Sequence, residues 1–282
     1  MNYGIKATRI LVVILGMVMP ASIFGYNDRN EKAFKTRVEM TDKEVSEHSI
    51  SEQPKKKQVG PGTKLKKKKS ETGISMPVYM PPLRGAPGGR VGAGSRGIEY
   101  ELTQLYVLAP NHVGLTIQKK PNMYWFISRV TSYPIELTII ENRAITPVLE
   151  KHIAHPEKPG VQCIRLADYG VYLQKNVPYK WFVALIPDRD QRSKDILAGG
   201  VIERIDCPEF LYEKLDDADE ARASHVYAKA GLWYDALAAI SELIDASPND
   251  EILIKQRASL LEQVGLPEIG QYEIEHSIPR GQ

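Results

Sequence analysis

Cysteine is scarce in this chain, and its scarcity bounds what can hold the fold together. Only Cys163 and Cys207 carry a thiol among 282 residues, so a single disulfide is the most that can form. Charge of one sign is lacking as well. The net charge is +2, and bulk electrostatics on that scale points to no nucleic-acid partner. No apolar run approaches the roughly 20 residues that span a bilayer as a helix. Helical periodicity is missing between about Leu102 and Arg204, which argues against a parallel sheet wrapped by helices.

What is present begins with an export pattern. Lys6 and Arg9 form a basic start, Ile10 to Val18 is apolar, and the small residues Ala21, Ser22 and Gly25 follow. This predicts a signal peptide over 1–25 and a periplasmic or secreted protein, with an uncleaved anchor as the alternative. Export leads to an oxidising space, where Cys163 and Cys207 either pair or remain two small buried thiols. Residues 26–80 are rich in Lys, Glu and Ser and poor in apolar side chains. Such a linker buries too little surface to offset its ordering entropy and is expected to be disordered. Its lysine run, Lys55 to Lys69, is either a solvated linker or a contact with an anionic surface such as lipid head groups, lipopolysaccharide or acidic polymer. Binding of the second kind would weaken as salt is raised.

The loop at 81–97 is dense in Gly and Arg. Gly92, Gly94 and Gly97 match G-x-G-x-x-G in letters only, since a Pro/Gly loop precedes them and an expected strand follows. A dinucleotide site needs the opposite context, strand before and helix after. Arg84, Arg90 and Arg96 are candidates to bind an anion or to pair with acids of the domain.

Residues 98–206 carry turn signals at short intervals. Strands are expected near 102–108, 113–117, 124–130, 135–141, 144–150, 162–166, 171–174, 179–186 and 198–205. Ile135, Leu137 and Ile139 alternate with Glu136 and Thr138, and Tyr179, Trp181, Val183 and Leu185 alternate likewise. The fold class this predicts is an all-β, antiparallel, immunoglobulin-like sandwich, with Trp125 and Trp181 opposed across its core. Tyr179 is placed to tie the corner after Leu173 with its hydroxyl.

The period changes after Ile205. Pro208 opens a helix. Trp233, Leu237, Ile240 and Ile244 fall on one helical stripe, as do Ile254, Ala258 and Leu261. A small α-helical subdomain is therefore expected over 207–266, ended by Gly265-Leu266-Pro267, with a loose tail at 267–282. Tyr227-Ala-Lys-Ala-Gly231-Leu-Trp233-Tyr-Asp-Ala236, with Pro248-Asn249 after it, resembles one tetratricopeptide repeat. Glu220 and Leu243 depart from that repeat's pattern. One repeat cannot bury its own face, so the helices must dock on the β body or on another chain. A groove lined by Trp233, Tyr234 and Arg222 is the candidate surface for a partner.

A wider resemblance rests on Leu83-Arg-Gly-Ala-Pro-Gly-Gly-Arg90, Trp125, Tyr179-Lys-Trp181, Asp188 with Arg192-Ser193, and Ala228 through Ala236. Together these resemble the bacterial family called domain of unknown function 928, over roughly residues 81 to 266. The resemblance implies an exported protein with no assigned activity, associated with surface-protein secretion, and it carries over no catalytic residue. The chain's own chemistry points the same way. Asp188, Asp190 and Asp195 are neutralised by Arg189, Arg192 and Lys194, which favours ion pairs over calcium. His152 and His155 lack a third ligand for zinc, and Ser193 has no His or acid at a telling spacing. The expectation is a non-enzymatic binding or scaffolding module without cofactor or metal, whose partner is another envelope protein. The alternative is an envelope hydrolase acting on polysaccharide or peptidoglycan.

Overall fold

Along Ile135–Glu141 and Pro178–Leu185 alternate side chains are apolar, and both stretches are strands with that set buried on one face. They are β4 and β7 of the computed structural model, which describes residues 75–82, 89–91 and 103–277. The expected signal peptide 1–25, the charged stretch as far as residue 74 with Lys55–Lys69, and Arg84, Arg96 and the three loop glycines lie outside the described residues. The other strands are β1 (Leu105–Val107), β2 (Gly114–Thr116), β3 (Asn122–Ile127), β5 (Leu149–Ile153), β6 (Gly160–Arg165) and β8 (Ile196–Arg204). The larger sheet has the order β2-β8-β7-β4-β5 and the smaller one β1-β3-β6. In the larger sheet β2 runs parallel to β8, with Gly114 opposite Ile202, while the remaining pairs are antiparallel.

The expected all-β sandwich does not form. The architecture is α/β: a mixed five-stranded sheet, a three-stranded sheet, and helices α1 (Glu209–Asp216), α2 (Glu220–Lys229), α3 (Trp233–Ala246), α4 (Glu251–Gln263) and α5 (Pro267–Ser277) at the C-terminal end. The reason lies in β3. Met123 to Ile127 are all buried, so this strand is covered on both faces rather than one. On one face Trp125 pairs with Val107 of β1, and Val107 meets Gly200 of β8 across the gap between sheets. On the other face the Phe126 ring meets Tyr272 of α5 edge-on at 4.9 Å, and Asn122 hydrogen-bonds Glu242 of α3 at 3.2 Å. Helices thus take the place where a sandwich would have shown solvent.

Sheets and helices share one apolar core, which includes Trp125, Trp181, Trp233, Tyr234, Leu237 and Ile240. Trp181 and Trp125 both lie in the layer between the sheets, and Gly200 leaves room for it. A Cβ there would stand 2.6 Å from Ala109 Cβ and 3.1 Å from the Trp181 indole nitrogen. The corner before β7 is tied as the tyrosine spacing suggests. The Gln174 N–H donates to the Tyr179 hydroxyl in a long bond of 3.4 Å.

Several boundaries differ from expectation; the strand expected at 144–150 forms at Leu149–Ile153. No strand forms at 171–174; a 3-10 turn at Leu166–Tyr169 and irregular chain fill that place. The tail at 267–282 is helical through Ser277. Gly265, at φ 75°, ends α4, and Pro267 then opens α5 at the position where a missing N–H costs nothing. Gly270 sits where a Cβ would lie 3.0 Å from the Ala258 carbonyl oxygen, so α4 and α5 approach closely. Last, residues 75–80, expected to belong to the linker, are an ordered strap. Tyr79 is buried, its ring edge-on to Trp233 at 5.1 Å and its hydroxyl 2.9 Å from His112 Nε2. Among the described residues no helix is long and apolar enough to cross a membrane.

Candidate binding groove

Helix α1 is held by little. Leu211 is its one buried side chain, and it joins a small apolar cluster with Leu115, Ala230 and Leu232, separate from the main core. Because α1 leans on that cluster alone, a cleft of about 800 Å³ remains between α1, α2 and the first turns of α4. That size suits a ligand or a peptide segment. Phe210, Leu211, Val226 and Ala230 supply apolar surface to it. Lys214, Arg222 and Lys229 bring positive charge and Asp217 and Asp219 negative charge.

The charges are not evenly mixed. Asp216, Asp217, Asp219 and Glu220 crowd the turn from α1 to α2, all exposed. Asp216 and Asp217 also stand at the C-terminal end of α1, where the helix dipole is already negative. On the α2 side, burial and then the Arg222 charge lower the pKa of His225, which favours the neutral imidazole.

The strap closes one side of the cleft. It is held along α4 by two glutamines. Gln263 grips it at two points: Nε2 donates to the Pro77 carbonyl at 2.9 Å, and Oε1 accepts the Tyr79 N–H at 2.8 Å. Gln256, two turns earlier, makes half of that grip. Its Nε2 donates to the Ser75 carbonyl at 2.9 Å, while its buried Oε1 meets no donor. Met80 N–H then bonds the Ala228 carbonyl at 3.1 Å, tying the strap to α2.

Among the residues singled out from the sequence, the structure brings only Arg222 to this cleft. Trp233 and Tyr234 do not line it. Both are fully buried where α3 enters the body: the Trp233 indole N–H donates to the Leu108 carbonyl at 2.8 Å, and the Tyr234 hydroxyl donates to the Val201 carbonyl at 3.1 Å while accepting from Trp181. Their expected groove is therefore the seam between α3 and the sheets. Arg90 is half-buried and bonds the carbonyls of Ala109, Val264 and Gly265, so it closes the end of α4 instead of offering an anion site. Cys163 and Cys207 are free thiols in different places, one opposite Tyr124 on the smaller sheet and the other beside the α1 cluster. In the 188–195 loop Arg192 pairs with Glu136 and Asp195, both at 2.7 Å, and Lys194 lies 3.7 Å from Asp188. His155 bonds the Tyr133 carbonyl oxygen at 2.9 Å, and His152 is exposed on β5. Sequence reasoning missed Lys214, His225 and Gln256, which no motif or spacing marks, and it did not single out Lys229 within the repeat-like stretch. The one available signal was the apolar run Phe210-Leu211-Tyr212 in a short helix.

One buried acid stands outside the groove. Asp235, in the first turn of α3, accepts the Ile117 N–H on Oδ2 at 3.2 Å, and its Oδ1 has no partner. Burial pushes this carboxyl up to about 7, against hydrogen bonds from Thr116, Ile117, its own N–H and Gln118 that favour the ionised form. Unfolded, it titrates near 4. The folded state then holds the proton more tightly, so stability falls as pH rises from about 4 to 7 and levels off above. Relative to the wild type, Asp235→Asn should gain about 4 kcal/mol between pH 4 and pH 8. Urea unfolding of both proteins at those two pH values measures this, since other titrating groups cancel in the difference. A difference that does not change with pH would show that Asp235 ionises freely in the fold.

Comparison with known proteins adds the following. The sequence model of one family, Domain of Unknown Function (DUF928), matches residues 91–274. The match begins at the Val91 bridge to β8 and runs into α5, so it takes in both sheets and all five helices of the described residues. No curated protein matches the chain.

Proposed function

As this chain belongs to the DUF928 family, whose description assigns no activity, we propose from its geometry that it is a non-enzymatic binding module of the bacterial envelope. It holds a segment of another envelope protein in the cleft between α1, α2 and α4. The lysine run at Lys55–Lys69 adds an electrostatic contact with an anionic envelope surface. What supports this reading is the cleft itself: about 800 Å³, apolar along Phe210, Leu211 and Val226, and charged at the edge. Apolar floors with a few placed charges bind segments through burial, and the charges set orientation. Beneath the cleft Trp233 and Tyr234 lock α3 into the core, while α1 rests on the small cluster around Leu211.

A photo-crosslinking residue in place of Arg222, introduced in cells, tests this. A discrete adduct should form with one partner protein and disappear when Ile252, half-exposed at the cleft edge, is changed to Asp. The same crosslinker at Lys151, exposed on the far strand β5, should give none. No adduct at 222, or the same adduct at 151, overturns the reading.

A further inference from the structure

The outermost strands of a sheet each leave one row of backbone N–H and C=O groups without a neighbour, and proteins shorten, charge or cover such edges. Three of the four edges of these two sheets are managed in those ways. β2 has three residues, its Gly114 meets the Tyr234 ring of α3, and Asp235 of α3 takes the Ile117 N–H just beyond it. β1 also has three residues, and its Val107 packs against Gly200 of the other sheet. β5 carries the exposed charges Glu150 and Lys151. β6 is different. It is six residues long, Gly-Val-Gln-Cys-Ile-Arg, and its one charge, Arg165, comes last.

The register fixes which groups of β6 face outward. The Leu108 N–H donates to the Tyr124 carbonyl at 2.8 Å, and the Ser128 N–H donates to the Gln104 carbonyl at 3.0 Å. Tyr124, Phe126 and Ser128 therefore turn their backbone groups to β1, while Met123, Trp125 and Ile127 turn theirs to β6. Their partners there are Ile164, Gln162 and Gly160. Val161, Cys163 and Arg165 are left pointing away from the sheet. Among the described residues none of their N–H or C=O groups is bonded. From Val161 to Arg165 this open row is about 13 Å long at 3.3 Å per residue, room for about five residues of an added strand.

The side chains beside the row decide what it can take. Val161, Cys163 and Arg165 stand opposite Phe126, Tyr124 and Asn122, on the face of the smaller sheet that α3 and α5 cover. Cys163 and Arg165 are exposed, and so are Glu242 and Asp245, one turn apart on α3. Glu242 accepts a hydrogen bond from Asn122, the residue paired with Arg165. Burial raises the pKa of the Cys163 thiol, and Asp245 and Glu242 raise it further against the Tyr124 bond and Arg165, so both carboxylates are within electrostatic reach of the middle of β6. Neither forms an ion pair among the described residues. Two carboxylates against one guanidinium leave this rim acidic.

We propose that the outer edge of β6 takes up an extended, basic segment of a partner protein as a fourth strand of the smaller sheet. The segment's backbone fills the N–H and C=O groups of Val161, Cys163 and Arg165, the mode of recognition by strand addition. Its alternate side chains share the face of Cys163, where Lys or Arg meets Glu242 and Asp245. A second copy of this chain is the poorer occupant. Antiparallel pairing of two β6 edges about Cys163 would line one seam with Glu242 and Asp245 from both copies, and like charges repel. The edge shares no residue with the cleft between α1, α2 and α4, so failure at either place leaves the other intact.

The probe is a blocked seven-residue peptide, Thr-Val-Lys-Thr-Lys-Val-Thr, added to the isotope-labelled full chain, with amide hydrogen exchange read by NMR. In the free protein Val161, Cys163 and Arg165 should exchange fast and Gln162 and Ile164 slowly. Peptide at about ten times its Kd should slow the first three about tenfold, since exchange then proceeds from the small unbound fraction. The counterpart with Glu in place of Lys should bind about tenfold more weakly, because two attractive charge pairs become repulsive. The Lys peptide methylated on its backbone nitrogens should not bind. Glu242→Lys with Asp245→Lys, two exposed changes on α3, should reverse the preference between the Lys and Glu peptides. No binding at millimolar peptide overturns the proposal, as does binding that leaves the three amides unchanged or that treats the Lys and Glu peptides alike. Slow exchange of those amides in the free monomer shows an edge already filled and overturns it. The same slow exchange in a protein that sediments as a dimer assigns the edge to a second copy and overturns it too.

Discussion

Trp233→Ala is expected to lower the unfolding free energy by about 4 kcal/mol, the usual scale for deleting a buried indole. The side chain is fully buried at the start of α3 and contacts the strap through Tyr79. Its N–H is also the partner of the Leu108 carbonyl, which follows β1. Alanine leaves both a cavity and an unsatisfied buried acceptor, and the two costs add. Trp233→Phe separates them, filling much of the space but leaving the carbonyl bare, and should cost about 1–3 kcal/mol. Urea denaturation gives both values. A loss under about 1 kcal/mol for the alanine variant would mean that α3 is not anchored to the sheets through this residue.

Glu273→Ala is expected to cost about 3–5 kcal/mol, because it strands a buried guanidinium. Arg257 of α4 and Glu273 of α5 are both buried and bond in a two-pronged pair, with Arg257 Nε to Glu273 Oε2 at 3.0 Å. The second Arg257 amino group reaches the Ser241 hydroxyl on α3 at 3.1 Å, so one ion pair stitches three helices. Replacing both charges together, Arg257→Met with Glu273→Leu, should recover most of the loss, since no charge is then left in the dry interior. The remaining deficit is the Ser241 bond, about 1 kcal/mol. Thermal or urea unfolding of Arg257→Met, Glu273→Leu and the double variant forms the cycle. A double variant as unstable as Glu273→Ala would show that the pair's shape, not its charge balance, holds α4 and α5 together.

Particular residues show how far the sequence could be read. The alternation of Ile135, Leu137 and Ile139 with Glu136 and Thr138 reports a half-buried strand wherever it occurs, and β4 follows it residue for residue. The stripe Trp233, Leu237, Ile240, Ile244 reports a helix and all four are buried, although Tyr234, Asp235 and Ala236 beside them are buried as well. The sandwich expectation failed at Met123–Ile127. That run is apolar on both faces, and an apolar run does not say whether a sheet or a helix covers it. Helix α5 was missed because its inward face carries Glu273, and a charged residue in a stripe hides the period until its buried partner Arg257 is known. The cleft was invisible for a further reason. Phe210, Arg222, His225 and Gln256 come from three helices, and no local pattern encodes which helix leans away from which.

Local periodicity alone thus determined where most strands and the helices before α5 lie, how the faces of alternating strands such as β4 point, and that the C-terminal helices need a surface to cover. Those are properties of backbone geometry at two or 3.6 residues per repeat, and they act within a few residues of one another. Only the tertiary structure decided that the helices close over the smaller sheet, that Trp233 and Tyr234 belong to the core, and that α1 stands off to leave a cleft. Each of those outcomes depends on contacts between residues scores of positions apart, where the free energy of burial selects among packings that the same local pattern permits equally.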